Sequence, residues 1–387
     1  MPQLASHMSS VPESGIRRLF EIALSLDDVN VLAVGEPDQP VAPHIVEAAT
    51  AAWEAGETRY TPNGGIPDLR RAIVEKLAQD NAMTVDVEQV WVTVGATQAL
   101  IQAMGLLLDA GDEILVPDPG YTTFSMNARM LQAVPVPYRL SPEDAFAPDL
   151  DELETLVSPR TRVLLVNSPS NPLGRVFSAK VLQSLVNFAA RHDLWILSDE
   201  VYEYFTFTGE HVSPATLDRD GRVFSVFSLS KTYAMTGIRV GYLVTPPGFA
   251  AEMRTVQEAM ISCVSTPAQR AAVAALTGPR EPIDAAARHY EDNGRAAAAH
   301  LAGRGMHYLE PEGAFYLWID LSHATGGDVA TWAERFLLEH RVAVAPGSAF
   351  GRSGEGWVRV CLAAERERLL DGLAKLPAPG DGQAPAD

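Results

Sequence analysis

The sequence predicts an α/β protein: a large domain with a mostly parallel sheet covered by helices on both faces, joined to a smaller α+β domain. Short continuous apolar runs separated by longer helical stretches carry this reading, because strands buried on both faces read as unbroken apolar segments. Size agrees with it: 387 residues at 47% hydrophobic content exceed the length at which one core usually divides. The last third then changes style, mixing long helices with isolated strand-like runs.

Taken in order, the strand-like runs are residues 90–94 (VWVTV), 113–116 (EILV), 162–167, 194–198 and 222–228. Helical stretches follow at 247–262 and 283–301, then a mixed region containing 314–319, 331–340, 357–360 and 365–376, which reads as a smaller α+β domain. The large domain is expected over 43–282, and the small domain over 15–42 together with 283–376. Residues 1–14 are set aside as a tag scar and disordered start, the His7-Met8 pair having the look of a cloning junction. Residues 377–387, rich in Pro, Gly, Ala and Asp, read as a disordered tail. No internal repeat argues for a solenoid or propeller.

Composition excludes several classes of function. A formal net charge of -19 with singly scattered arginines argues against nucleic-acid binding. Two distant cysteines, Cys263 and Cys361, make neither a disulfide framework nor a zinc site, so no metal is expected and a reducing cytoplasm fits. There is no signal-peptide pattern and no apolar run of membrane-spanning length.

In such a sheet, ligands bind beyond the carboxyl ends of the strands, and four segments stand there. Gly95-Ala96-Thr97-Gln98 opens a helix after the first run, offering free backbone N–H groups to an anion; a plain tight βα turn accounts for the same residues. Asn171 lies in the proline-stiffened loop Asn167-Ser168-Pro169-Ser170-Asn171-Pro172-Leu173-Gly174, where its amide either meets a ligand or closes an Asx-turn. Asp199, at a strand end, needs a cation if buried, which a structural ion pair or a protonated ring nitrogen would equally supply; Tyr202 follows three residues on. Lys231, in Ser228-Leu229-Ser230-Lys231-Thr232-Tyr233, has small and apolar neighbours that favour the neutral amine of Schiff-base chemistry, with Arg239 eight residues later to hold a phosphate. A kinase-type P-loop is excluded, because no Gly-x-x-x-x-Gly precedes the Lys-Thr pair. All four have a role if the ligand is a phosphorylated, protonated pyridine aldehyde.

From these segments, and from residues 345–360, the chain resembles the fold type I aminotransferases over about 15–376, in the branch of bacterial aspartate, aromatic and broad-specificity enzymes. The resemblance implies pyridoxal 5'-phosphate (PLP) as cofactor, held as a Schiff base by Lys231, with Asp199 on the pyridinium nitrogen and Asn171 and Tyr202 on the ring hydroxyl oxygen. It implies ring stacking by Tyr121, and phosphate contacts from Ala96, Thr97, Ser228 and Arg239, with Tyr60 reaching in from the other subunit of a homodimer. Arg359 would grip the substrate α-carboxylate, with Gly35 making a backbone contact and Asn171 lying beside them. The implied activity is transfer of an L-amino acid's amino group to a 2-oxo acid by a ping-pong aldimine/ketimine mechanism, within amino-acid metabolism. A β-lyase, decarboxylase or specialised biosynthetic cyclase on the same scaffold is the alternative.

Several positions depart from commoner family patterns: Leu173 for Thr, Ile238 for Trp, and Asn293-Gly294-Arg295 for a double arginine. Some dicarboxylate-specific relatives carry a lysine where Thr97 stands. These touch substrate choice, and Ile16, Arg17 and Ser262 are candidates for the distal end of the pocket.

Overall fold

The computed structural model describes residue 3 and residues 5–380. Most of the expected tail, and positions 1, 2 and 4 of the expected scar, lie outside the described residues. The start is not featureless, since Ser6–Ser10 form a 3-10 helix.

The first helix, α1 (Gly15–Leu24), is capped by Ser14, whose hydroxyl accepts the Arg17 N–H at 3.3 Å, and it buries Leu19 and Ala23. A two-residue strand, β1 (Asn30–Val31), leads to α2 (Pro43–Glu54) and α3 (Pro67–Asp80), each with proline in its first turn. The main sheet then begins. Its first units are β2 (Val90–Thr93), α4 (Gly95–Leu107), β3 (Glu113–Asp118), α5 (Thr123–Met130), β4 (Val134–Arg139) and α6 (Leu150–Leu156). They are followed by β5 (Thr161–Asn167), α7 (Ala179–Arg191), β6 (Trp195–Asp199), β7 (Val223–Ser228), α8 (Leu229–Thr232) and β8 (Gly241–Val244).

These seven strands form one sheet in the order β2-β8-β7-β6-β5-β3-β4, parallel throughout except for β8. Alternate residues face opposite layers: Leu164, Val166 and Ile196 enter one core, and Val163, Leu165 and Leu197 enter the other. That two-sided burial is why the strands read as unbroken apolar runs.

Two of these strands have no counterpart in the sequence reading. β4 carries Pro135 and Pro137 and is half-exposed, which only an edge position tolerates. β8 is four residues long and sits directly behind the lysine segment. Helix α9 (Ala250–Met260) is shorter than expected, and α10 (Thr266–Thr277), packed on α2 and α3, was also unread.

After α11 (Glu281–Gly303) come β9 (Tyr308–Leu309), β10 (Tyr316–Asp320), α12 (Ser322–Thr325), α13 (Val329–His340), β11 (Val342–Ala343), β12 (Ala345–Pro346), β13 (Trp357–Cys361) and α14 (Arg366–Ala374). Strands β12-β13-β10-β9 make an antiparallel sheet, and β1 pairs in parallel with β11. Helix α1 lies against β12 and α13. The beginning and end of the chain therefore close over the carboxyl edge of the main sheet.

Candidate active site

Between the two sheets lies a cleft of about 640 Å³, a size that suits a small organic ligand. Every residue to which the resemblance gives a cofactor or α-carboxylate contact lines it except Tyr60, which is 92% exposed and stands apart.

Parallel register sets the floor. Asn167 and Asp199 are Cα partners at the ends of β5 and β6, and β7 ends beside them at Ser228. The Asn167 amide donates to the Asp199 carbonyl at 3.1 Å, and its Oδ1 accepts the Asn171 N–H at 2.9 Å, pinning the loop that presents Asn171. The Asp199 carboxylate is buried, and its one hydrogen bond among the described residues is from the Val201 N–H at 3.4 Å. Burial pushes its pKa up to about 7, with the neighbouring Glu200 acting the same way and Val201 and Lys231 opposing.

Lys231 follows one turn after β7, in α8, whose cap is Ser228 accepting the Ser230 N–H at 3.0 Å. Its Nζ donates to the Gly35 carbonyl at 2.7 Å. Burial lowers its pKa to about 8, so a substantial neutral fraction exists near physiological pH.

At the other side of the floor, Gly95 opens α4 at φ +72°, and a Cβ there would stand 2.5 Å from Nη2 of Arg239. The first-turn N–H groups of Ala96 and Thr97, unpaired within any helix, thus share a corner with a guanidinium held by the Thr236 carbonyl at 2.7 Å.

Opposite the floor, β13 supplies Arg359, which is only 2% exposed. Its guanidinium donates to Oδ1 of Asn171 at 2.8 Å and to the Ala33 carbonyl. It lies 4.3 Å from the ring centre of Tyr316 and 4.8 Å from that of Phe350. Among the described residues it has no carboxylate partner, and its Nε has no acceptor. A buried cation in that state is a receptor for an anion.

This set fits a phosphorylated pyridine aldehyde on its own chemistry. A buried carboxylate short of a cation would suit a protonated ring nitrogen, a neutral-leaning amine would suit an aldehyde, and a cationic corner that a Cβ would fill would suit a phosphate. Among the described residues no cluster of His, Cys, Asp or Glu could hold a metal.

Ile16 and Arg17 of α1 line the cleft; Ser262 does not, its hydroxyl donating instead to Glu258 at 3.4 Å. Leu173, Ile238 and Asn293-Gly294-Arg295 also lie off the cleft wall. Leu173 is fully buried in the core, and Asn293 donates to the carbonyls of Leu362 at 2.9 Å and Ala364 at 2.8 Å. Ile238 packs against a further apolar core, and Arg295 lies at the surface, ion-paired with Glu291 and Asp292. Sequence reasoning missed Phe20, Glu36, Thr236 and Tyr316, all of which line the cleft. Glu36 and Thr236 flank Gly35 and the lysine segment and are hydrogen-bonded to each other.

The family described as "Aminotransferase class I and II" matches residues 27–375. An aspartate aminotransferase of Pyrococcus abyssi is 36% identical over 378 residues, covering 96% of this chain and 97% of its own. An aromatic-amino-acid aminotransferase of Thermococcus litoralis matches with the same identity and coverage. The solved structure of Thermus thermophilus aspartate aminotransferase with maleate superposes at a TM-score of 0.92 with 35% identity, covering 97% of this chain and 99% of that one.

Proposed function

This chain belongs to the aminotransferase class I and II family and is a PLP-dependent aminotransferase, and from that premise we propose that the cleft between Lys231, Asp199 and Arg359 is where it works. The observation that carries this assignment is the pair, in one cleft, of a buried guanidinium at Arg359 with no carboxylate partner among the described residues and no acceptor at its Nε, and a desolvated amine at Lys231.

When bound, PLP supplies the electron sink that lets the Cα–H bond of an amino acid break. Lys231 attaches the cofactor through its neutral amine. With a substrate amino acid bound, the Lys231 Nζ would be the group that takes the proton from the substrate Cα and holds it for return. The Gly35 carbonyl, 2.7 Å from Nζ, aims that amine. Asp199 keeps the ring nitrogen protonated: ionised, it gains the cation its burial denies it, and ring and carboxylate raise each other's preference for charge. Asn171 and Tyr202 would hold the ring hydroxyl oxygen, and Tyr121 would cover the ring face. Ala96, Thr97, Ser228 and Arg239 hold the phosphate. Arg359 receives the substrate α-carboxylate through its planar fork, beside Gly35 and Asn171.

Tyr60 does not line its own cleft, and its exposure, with that of Trp53 at 60%, supports a homodimer in which each copy lends Tyr60 to the other's phosphate site. Residues 43–282 form the large body, and 15–42 with 283–376 the small one. No helix among the described residues is long and apolar enough to cross a membrane, and both cysteines are free, which supports a cytoplasmic enzyme. The substrates are L-amino acids and 2-oxo acids.

The test is a single half-reaction. Holoenzyme mixed with an amino donor and no acceptor is expected to release one equivalent of 2-oxo acid and leave aminated cofactor on the protein. Turnover yielding ammonia or carbon dioxide instead would assign the site to a lyase or decarboxylase.

A further inference from the structure

Tyr316 stands where the cofactor and substrate ends of the cleft meet. It opens β10, whose antiparallel pairing with β13 sets Tyr316 opposite Cys361 and Trp318 opposite Arg359. Its phenolic oxygen lies 2.6 Å from that of Tyr202, and the face of its ring lies against the Arg359 guanidinium, 4.3 Å away. The same oxygen fills the space over Gly35: a Cβ on that residue would approach within 2.0 Å of it. One side chain thus touches the phenol facing the cofactor, the arginine facing the substrate carboxylate, and the residue whose carbonyl holds Lys231.

Both phenols are buried, and burial pushes both pKa values up, so each keeps its proton. Two neutral phenols in contact share one hydrogen bond, and whichever one accepts is left with its own O–H to donate elsewhere. Tyr316 has Arg359 against its face, whereas Tyr202 borders the floor of the cleft.

We propose that Tyr316 is a positioning residue that couples the two ends of the site: its hydroxyl donates to Tyr202, turning the Tyr202 O–H toward the ring oxygen of the cofactor, while its ring holds Arg359 flat for the substrate carboxylate. A phenol that accepts a hydrogen bond is a better donor, so Tyr316 strengthens the bond Tyr202 makes. The inference rests on the assignments of Tyr202 and Arg359 made above.

Tyr316→Phe keeps the ring and removes the hydroxyl. In the holoenzyme, the pH titration of the visible absorption band of lysine-bound cofactor is expected to move up by about half a unit to one unit, as loss of one modest hydrogen bond implies. The KM for the amino donor is expected to stay within about twofold, because the ring remains under Arg359. Tyr316→Leu removes ring and hydroxyl, and is expected to raise that KM roughly tenfold as well. On a Tyr202→Phe background, Tyr316→Phe is expected to add no further shift. An unmoved titration in Tyr316→Phe, or an undiminished further shift when Tyr316→Phe is added to Tyr202→Phe, would overturn the coupling. If instead the unmodified holoenzyme has no titrating visible band, or Tyr202→Phe alone leaves it unmoved, the assignment of Tyr202 itself fails.

Discussion

Replacing Asp199 by Asn is expected to stabilise the cofactor-free protein at pH 8 relative to the unmodified chain, although it cripples the enzyme. The carboxylate is buried with one long hydrogen bond, and its pKa rises from 3.8 to about 7. A raised acid pKa means that the folded state keeps a proton the unfolded chain gives up, so stability falls as pH rises from about 4 to about 7, and the full loss is present above that. One unit corresponds to about 1.4 kcal/mol, so the interval from pH 5 to pH 7 costs the unmodified protein about 3 kcal/mol that an uncharged Asn of the same shape does not lose. Lys231 titrates near 8 and above, beyond this window and in both proteins. The assay is urea unfolding of both apo-proteins at pH 5 and pH 8 and equal protein concentration. The gap between them should open by about 3 kcal/mol in favour of the Asp199→Asn variant as pH rises, and bound cofactor should close or reverse it. Parallel pH dependences in the two apo-proteins would refute the claim that a buried, uncompensated carboxylate awaits a cation there.

Other expectations follow from the same geometry. Arg359→Lys, which keeps the charge but loses the planar fork and its stacking, should raise the amino-donor KM roughly a hundredfold in steady-state kinetics, with little change in cofactor affinity. Gly95→Ala puts a Cβ against Arg239 at a backbone angle favouring glycine, and should weaken PLP binding at least tenfold by fluorescence titration while leaving the far-ultraviolet spectrum unchanged. The rate at which the apo-protein takes up PLP should climb with pH through a midpoint near 8, as the Lys231 amine loses its proton.

Much of the site was legible because its residues sit at strand ends, where one apolar run stops and a polar residue begins. Asp199, closing Trp195–Asp199, and Lys231, just past Val223–Ser228, are of this kind. The buried strands announced themselves by composition, whereas edge strand β4 hid behind two prolines that a central strand would not accept. Helix α10 carries seven buried residues, but these include Pro267 and four alanines, small side chains that leave little apolar periodicity to read. Tyr316 was readable only as part of an apolar run, since its partners Tyr202, Gly35 and Arg359 lie on three other segments that antiparallel pairing and domain apposition bring together. No local pattern encodes such a meeting. Tyr60, 92% exposed and outside the cleft, is singled out only by the family resemblance.

The central claim is that Lys231 carries the cofactor. Borohydride reduction of the holoenzyme fixes the lysine–cofactor bond, and digestion followed by mass mapping identifies the modified residue. The account predicts a single pyridoxyl adduct, on the peptide containing Lys231; an adduct on any other lysine, or none on this one, would contradict it.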